Sequence, residues 1–284
     1  MSHMRNAPVF GPGGNSDSFH AAKQTTVNAP FWVKGKGLDA YEYEAGRGFS
    51  APDALLRQLG SNAQEAGIHP SVHAPYFISL SGLVPETRLK SIDYIRESIH
   101  AAHLLHADTI VVHTGSAAKI SREEAMRLAA DTLYQTLETL SPEGVFIGLE
   151  TMGKVNQLGT LDEVITLCKM DPRLRPVVDF GHMNARACGG VFASEEDYLS
   201  VFDAIGTALG DEVAKNLHCH FSKIEWTAAG EKRHLTFEDV QYGPDFKPLM
   251  RVLKREGLTP TIICESAGTQ AEDALAMKDY YLSL

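Results

Sequence analysis

The feature that most limits the fold of this chain is a repeated alternation. Short apolar runs at residues 8–11, 38–43, 71–75, 108–113, 144–150, 176–179, 213–222 and 259–265 read as strands. Stretches with helical spacing lie between or after them, at 27–33, 52–66, 85–106, 121–140, 161–170, 194–209, 244–255 and 270–282. Their ends carry stop and start signals. Gly67 and Gly257 close two of them, and Ser121 with Glu124 and Thr160 with Glu163 spell capping boxes. Regular strand–helix alternation demands a parallel sheet covered by helices. Eight such units in 284 residues, 44% of them hydrophobic, predict one closed α/β (β/α)8 barrel over residues 5–284. Met1-Ser2-His3-Met4 is read as a cloning remnant, and His3 is left out of any site.

The runs share a second property. Six of them in succession end in residues that bind metals: His73, His113, Glu150, Asp179 with His182, His218 with His220, and Glu265. In a parallel barrel these ends surround one mouth. A single buried His is most often a hydrogen-bonded core residue, and a single Glu after a strand a cap or an ion pair. Six strand ends together are different, because unpaired buried carboxylates and imidazoles each cost several kcal/mol, and cations offset that cost directly. His, Asp and Glu without Cys suit Zn²⁺, with Mn²⁺ or Fe²⁺ as alternatives. So large a ligand set exceeds what one tetrahedral ion uses, which implies two or three ions. Glu150 is placed to bridge a pair. Asp179 and His182 sit together where the valine run stops, on a loop of small residues. Alternation along 213–222 puts Asn216, His218, His220 and Ser222 on one face, assigned to the barrel mouth.

Bulk properties narrow the function. The net charge of −10 disfavours broad nucleic-acid binding, which rests on phosphate neutralisation, without excluding a local basic groove. Lys154, Arg186, Lys223, Lys232 and Arg233 are the cations near the expected mouth. The four cysteines are scattered with no CxxC pair, as in a reduced cytoplasmic protein. There is no run of 18 apolar residues, so no membrane span is expected, and no signal peptide is read at the N-terminus. No glycine-rich phosphate fingerprint is present.

The series His73-Ala-Pro-Tyr76, Val112-His-Thr-Gly-Ser116, Gly148-Leu-Glu150, Val178-Asp-Phe-Gly-His182, His218-x-His-Phe-Ser-Lys223 and Cys264-Glu265 resembles endonuclease IV, the apurinic/apyrimidinic (AP) endonuclease family 2 of the xylose isomerase-like TIM barrels. The resemblance implies a trinuclear zinc site that hydrolyses the phosphodiester 5′ to an abasic site in DNA. It implies His73, His113, Glu150, Asp179, His182, His218, His234 and Glu265 as metal ligands, with Glu150 bridging and Glu265 orienting the water. Tyr76 matches a tyrosine that probes the DNA. His220, Lys223, Arg186 and Glu231 are the remaining candidates for substrate or supporting contacts. One departure stands out. The family has an acid, one residue, then a ligand His in the loop after strand seven, whereas this chain reads Gly230-Glu-Lys-Arg-His-Leu235. Either Lys232 takes the acid's place or Arg233 takes the histidine's. The partner expected is abasic DNA, with a small phosphorylated sugar as the alternative, and the chain is expected to be a monomer. On the same barrel, Glu150, Asp179, His218 and Glu265 alone would hold one ion for a sugar or sugar-phosphate isomerase or epimerase. A barrel that only stores metal or binds a partner is the third class.

Overall fold

The computed structural model describes residues 6–284, so Met1–Met4 lie outside the described residues. The strands are β1 (Val9–Pro12), β2 (Ala40–Glu44), β3 (His69–His73), β4 (Thr109–His113), β5 (Phe146–Glu150), β6 (Leu174–Asp179), β7 (His218–Phe221), β8 (Lys223–Thr227), β9 (Gly230–Leu235) and β10 (Thr261–Cys264). The helices are α1 (Asp17–Ala21), α2 (Ala29–Gly35), α3 (Asp53–Ala66), α4 (Pro85–Leu105), α5 (Arg122–Thr139), α6 (Leu161–Cys168), α7 (Phe180–Arg186), α8 (Glu195–Leu209), α9 (Asp211–Lys215), α10 (Phe246–Glu256) and α11 (Gln270–Ser283). Eight strands form one parallel sheet in the order β1-β10-β7-β6-β5-β4-β3-β2. Gly13 bridges Glu42 in parallel, and the Gly14 N–H donates to the Glu42 carbonyl at 2.9 Å, drawing the two edges together. The α/β barrel expected from the alternation is therefore the observed fold.

The core is the layer between sheet and helices. Ile110, Val112, Ile147, Leu149, Val178, Cys219, Phe221 and Ile262 are all fully buried there, facing helical residues such as Ile95, Leu133, Phe202 and Leu253. Close approach of neighbouring strands fixes Gly148, where a Cβ would meet Val177 Cγ2 at 2.5 Å. The sequence signals at helix ends hold with one change. Thr160 and Glu163 close a reciprocal capping box. Ser121 accepts from the Glu124 N–H, but the Glu124 carboxylate turns outward to Arg127 instead of back to the cap.

Three expectations need correction. Residues 213–216 belong to α9 and the turn after it, and β7 begins only at His218. The stretch after Asp179, read as a loop, is helix α7. Asp179 is its N-cap and takes the His182 N–H on Oδ1 at 2.6 Å, a pattern that needs no apolar periodicity to form. The loop expected after strand seven is the hairpin β8–β9, whose pairing Lys223↔Leu235 and Ile224↔His234 contains an irregularity opposite Glu225 and Trp226.

Candidate metal centre

The ends of β2, β3, β4 and β5 (Glu44, His73, His113 and Glu150), with His182 of α7, Glu231 and His234 of β9 and Glu265 just after β10, line one cavity of about 560 Å³ at the C-terminal mouth of the barrel. Glu150 stands at its centre, fully buried at the end of β5. Its Oε2 lies 3.2 Å from His113 Nε2 and 3.6 Å from His73 Nε2. Its Oε1 lies 3.1 Å from His220 Nδ1 and 3.4 Å from His182 Nδ1. Among the described residues, ligand atoms gather within 4.8 Å in overlapping groups, three of which cover the mouth: His73, His113 and Glu150; Glu150, Asp179, His220 and Glu265; and His182, Glu231 and His234; further ones include His73, His220 and Glu265 and, one layer down, Glu42, His218 and His220. Glu150 belongs to the first two.

The backbone presets two of these imidazoles. His73 Nδ1 lies 2.9 Å from the Ala74 carbonyl, and His182 Nδ1 lies 3.0 Å from the Thr151 carbonyl. A carbonyl only accepts, so Nδ1 carries the proton in both, and each Nε2 lone pair faces the cavity. His234 is held through Nδ1 by the Ser222 hydroxyl at 2.8 Å.

The donor set fits divalent cations. Glu150 Oε2, Asp179 Oδ2 and Glu44 Oε1 are buried and lack a hydrogen-bond partner. Atoms 3.2–3.6 Å apart whose lone pairs converge are spaced as neighbouring ligands on one ion with bonds of about 2.0–2.2 Å. The electrostatics agree. Burial opposes charge on His73, but Glu44, Glu150 and Glu42 outweigh it and push its pKa up to about 10. A field that draws a proton so strongly draws a divalent ion too. Glu150 is also buried, yet His113, His182, His220 and His73 hold it well below the usual carboxylate range. Burial pushes Glu265 well above that range; His220 opposes the shift, and Glu150, Asp179 and Glu44 reinforce it.

The hairpin settles the spacing puzzle at 231–234. Glu225 pairs with Arg233 and Trp226 with Glu231, which leaves Lys232 as the extra residue of a bulge. The bulge brings Glu231 and His234 to the same side. Glu231 Oε2 sits 3.5 Å from His182 Nε2, and the His182 and His234 rings meet edge to face at 5.4 Å. Lys232 and Arg233 turn outward, where both hold the Glu225 carboxylate, Arg233 at 2.7 Å. Neither displaces the acid or the histidine.

Other candidates fall differently. His218, expected as a ligand, lies one layer below the mouth. Register pairs His220 with Asp179 but His218 with Val177. Two residues of strand rise, about 6.6 Å, separate the levels. His218 instead contacts Glu42 and borders a cavity at the opposite end of the barrel with His69 and Asp108. His220, ranked below it from the sequence, is the one level with Asp179, its Nδ1 3.1 Å from Glu150 Oε1 and 3.3 Å from Glu265 Oε1. Arg186 gives its guanidinium to the carbonyls of Met152, Lys154, Val155 and Gln157 and braces the loop after β5. Lys223 turns away to the carbonyls of Phe237 and Asp239. Tyr76 stands at the rim, 57% exposed, its ring stacked over His113 at 6.2 Å. Lys154 lines the mouth. Glu42 and Glu44 were missed, although Tyr41-Glu42-Tyr43-Glu44 alternates and ends a strand as the other runs do. Both face the barrel interior, and burial pushes Glu44 up to about 7, against His73 and with Glu42.

Residues 31–280 match the family described as xylose isomerase-like TIM barrel. The chain belongs to that family. An uncharacterized protein of Methanocaldococcus jannaschii is 29% identical over 86% of this chain and 87% of its own. A protein named probable endonuclease 4 from Acholeplasma laidlawii is 29% identical over 72% of this chain and 67% of its own. Among solved structures, endonuclease IV of Thermus thermophilus superposes with a TM-score of 0.68 at 19% identity, covering 98% of this chain and all of that one. A D-tagatose 3-epimerase-like protein superposes with a TM-score of 0.70 at 18% identity, covering 97% of each. At these identities both structures bear on fold alone. The likeness to endonuclease IV carried by the motifs recurs in the relatives named probable endonuclease 4.

Proposed function

We propose that this barrel is a metal-dependent phosphodiesterase that hydrolyses DNA 5′ to abasic sites, with two or three Zn²⁺ as the best match to its ligands. One observation carries the reading: the third group, His182, Glu231 and His234, completed by the bulge at Lys232. A carbonyl-polarising isomerase needs one ion and leaves that group without a task. The sequence relatives named as endonuclease 4 point the same way. Within the reading, His73, His113 and Glu150 would hold one ion, Glu150 with Asp179, His220 and Glu265 would hold a second, and His182, Glu231 and His234 would hold another. When bound, such ions lower the pKa of a water and neutralise charge on the phosphoryl oxygens. Glu265, just after β10 in the lining of the cavity, would as a carboxylate orient the attacking water and accept its proton as that oxygen bonds to phosphorus; the opposite bond, from phosphorus to the 3′ oxygen of the preceding nucleotide, breaks, and that oxygen leaves with the bonding electrons and takes up a proton from solvent. Tyr76, at the rim beside His113, meets the strand where the base is missing. Lys154, in the lining of the mouth, supplies local positive charge.

A second reading is an epimerase of small sugars. It is favoured by Glu44, a further carboxylate lining the cavity, which repels a polyanion and suits sugar hydroxyls. Its single ion would take Glu150, Asp179, Glu265 and His220, not His218. The deciding experiment is incision of a duplex with one tetrahydrofuran abasic analogue, with and without chelator, beside epimerisation of D-tagatose. Chelator-sensitive incision supports the phosphodiesterase; no incision at high protein concentration overturns it, and sugar turnover would put the epimerase in its place.

A further inference from the structure

Glu42 lies one layer beneath the mouth, on the inward face of β2, with no exposed surface. It does not border the cavity, and nothing in the reaction above uses it. An ionised carboxylate in such a place is expensive unless each oxygen is matched. Oε2 accepts from the Ser71 hydroxyl at 2.7 Å and lies 3.0 Å from His218 Nε2. Oε1 lies 2.8 Å from His220 Nε2, a close ion-pair contact between two buried atoms that have no other polar partner among the described residues. The other nitrogen of the same ring, His220 Nδ1, points upward to Glu150 Oε1 at 3.1 Å and Glu265 Oε1 at 3.3 Å. The His220 ring therefore stands between two levels, with Glu42 below and the candidate ligands above.

Carboxylates face both nitrogens of His220, and a carboxylate offers only lone pairs. With a cation between Nδ1 and the Glu150 and Glu265 oxygens, Nδ1 gives its lone pair to the ion and the one ring proton falls on Nε2, opposite Glu42. Carboxylates behind metal-bound histidines set tautomer, ring orientation and basicity in this way. We propose that Glu42 is a positioning residue that locks His220 with its proton on Nε2 and presents Nδ1 to the ion held by Glu150, Asp179 and Glu265. His218 and Ser71 hold the other Glu42 oxygen and keep the carboxylate from rotating. This gives His218 a task at the level where the structure places it. The proposal rests on reading the Glu150–Asp179–His220–Glu265 group as a metal site.

The test uses the full chain loaded with Zn²⁺ and two readouts other than turnover. In ¹⁵N–¹H spectra of the wild type, His220 should show a protonated, slowly exchanging Nε2 and an unprotonated Nδ1. Zn²⁺ affinity is measured by competition with a fluorescent chelator. Glu42→Leu, close in volume but without acceptors, should lose the Nε2–H signal and weaken the tightest-coupled ion by about 10–100-fold. Glu42→Gln keeps an oxygen for the Nε2–H and should recover most of that loss. Should Glu42→Leu fail to fold, the wild-type spectrum decides alone: an Nε2 without a proton overturns the proposal. Equal Zn²⁺ affinity and an unchanged Nε2–H signal in a folded Glu42→Leu also overturn it, leaving the metal site itself untouched. A wild type that binds no Zn²⁺ sinks the metal-site reading first, and the role of Glu42 with it.

Discussion

Adding one methyl group at Gly153 tests the third ligand group directly. Gly153 sits in the loop after β5, and its carbonyl accepts from the Glu231 N–H at 3.0 Å. A Cβ there would lie 2.6 Å from Glu231 Cβ, 2.8 Å from Glu231 Oε2 and 3.1 Å from His182 Cδ2. Ordinary carbon contacts are about 3.5–4.0 Å, so Glu231 must retreat by about 1 Å. Metal ligands tolerate about 0.2 Å. Gly153→Ala should therefore cost one ion about 100-fold or more in affinity, at or beyond the upper end for disturbed supporting residues. The expected loss of stability is about 1–3 kcal/mol, the usual range for overpacking. The assay is metal content per chain after dialysis against a buffered chelator, with a thermal melt to confirm folding. The control is Gly35→Ala at the end of α2, where a Cβ meets nothing within 4 Å. A Gly153→Ala protein with the wild-type number of ions and unchanged affinity would refute the assignment of Glu231 to a metal group.

Glu265→Gln should lower incision by about 10²–10⁴-fold while metal content stays close to wild type, measured by steady-state kinetics and elemental analysis; an active variant removes Glu265 from the proton-transfer step. Lys232→Ala removes an exposed side chain whose ion pair among the described residues is with Glu225, so metal content should not change and stability should move by less than about 0.5 kcal/mol in a urea titration. Loss of an ion in that variant would mean that Lys232 does more than fill the bulge. Adding Zn²⁺ to chelator-stripped protein should raise the melting temperature, by about 2.7 kcal/mol of stability at a free concentration one hundred times Kd; no rise would show that the ligand groups do not bind Zn²⁺ in the folded state.

The strand ends were legible because each pairs an apolar run with one abrupt polar residue. His73, His113, Glu150 and Glu265 needed no more than that signal. What the sequence could not fix was depth along a strand. His218 and His220 share a face, and only the pairing of β7 with β6 says which of them is level with Asp179. Glu42 and Glu44 carried the same strand-end signal, but the tyrosines between them read as ordinary alternation. The bulge at Lys232 had no local mark at all. It depends on how the hairpin pairs across Glu225 and Trp226, a contact between strands and not a property of either.

Glu42 also joins the barrel through its backbone, where Gly13 and Gly14 of the first strand edge meet it. The residue that completes the hoop is thus the one whose side chain reaches His220 beneath the mouth. The first stave of the chain and an imidazole roughly two hundred positions later are fastened at one point. Prising β1 loose would disturb that imidazole, and through it the group it forms with Glu150, Asp179 and Glu265. A cation held by His220 at the mouth would be linked through Glu42 to the seam that closes the barrel.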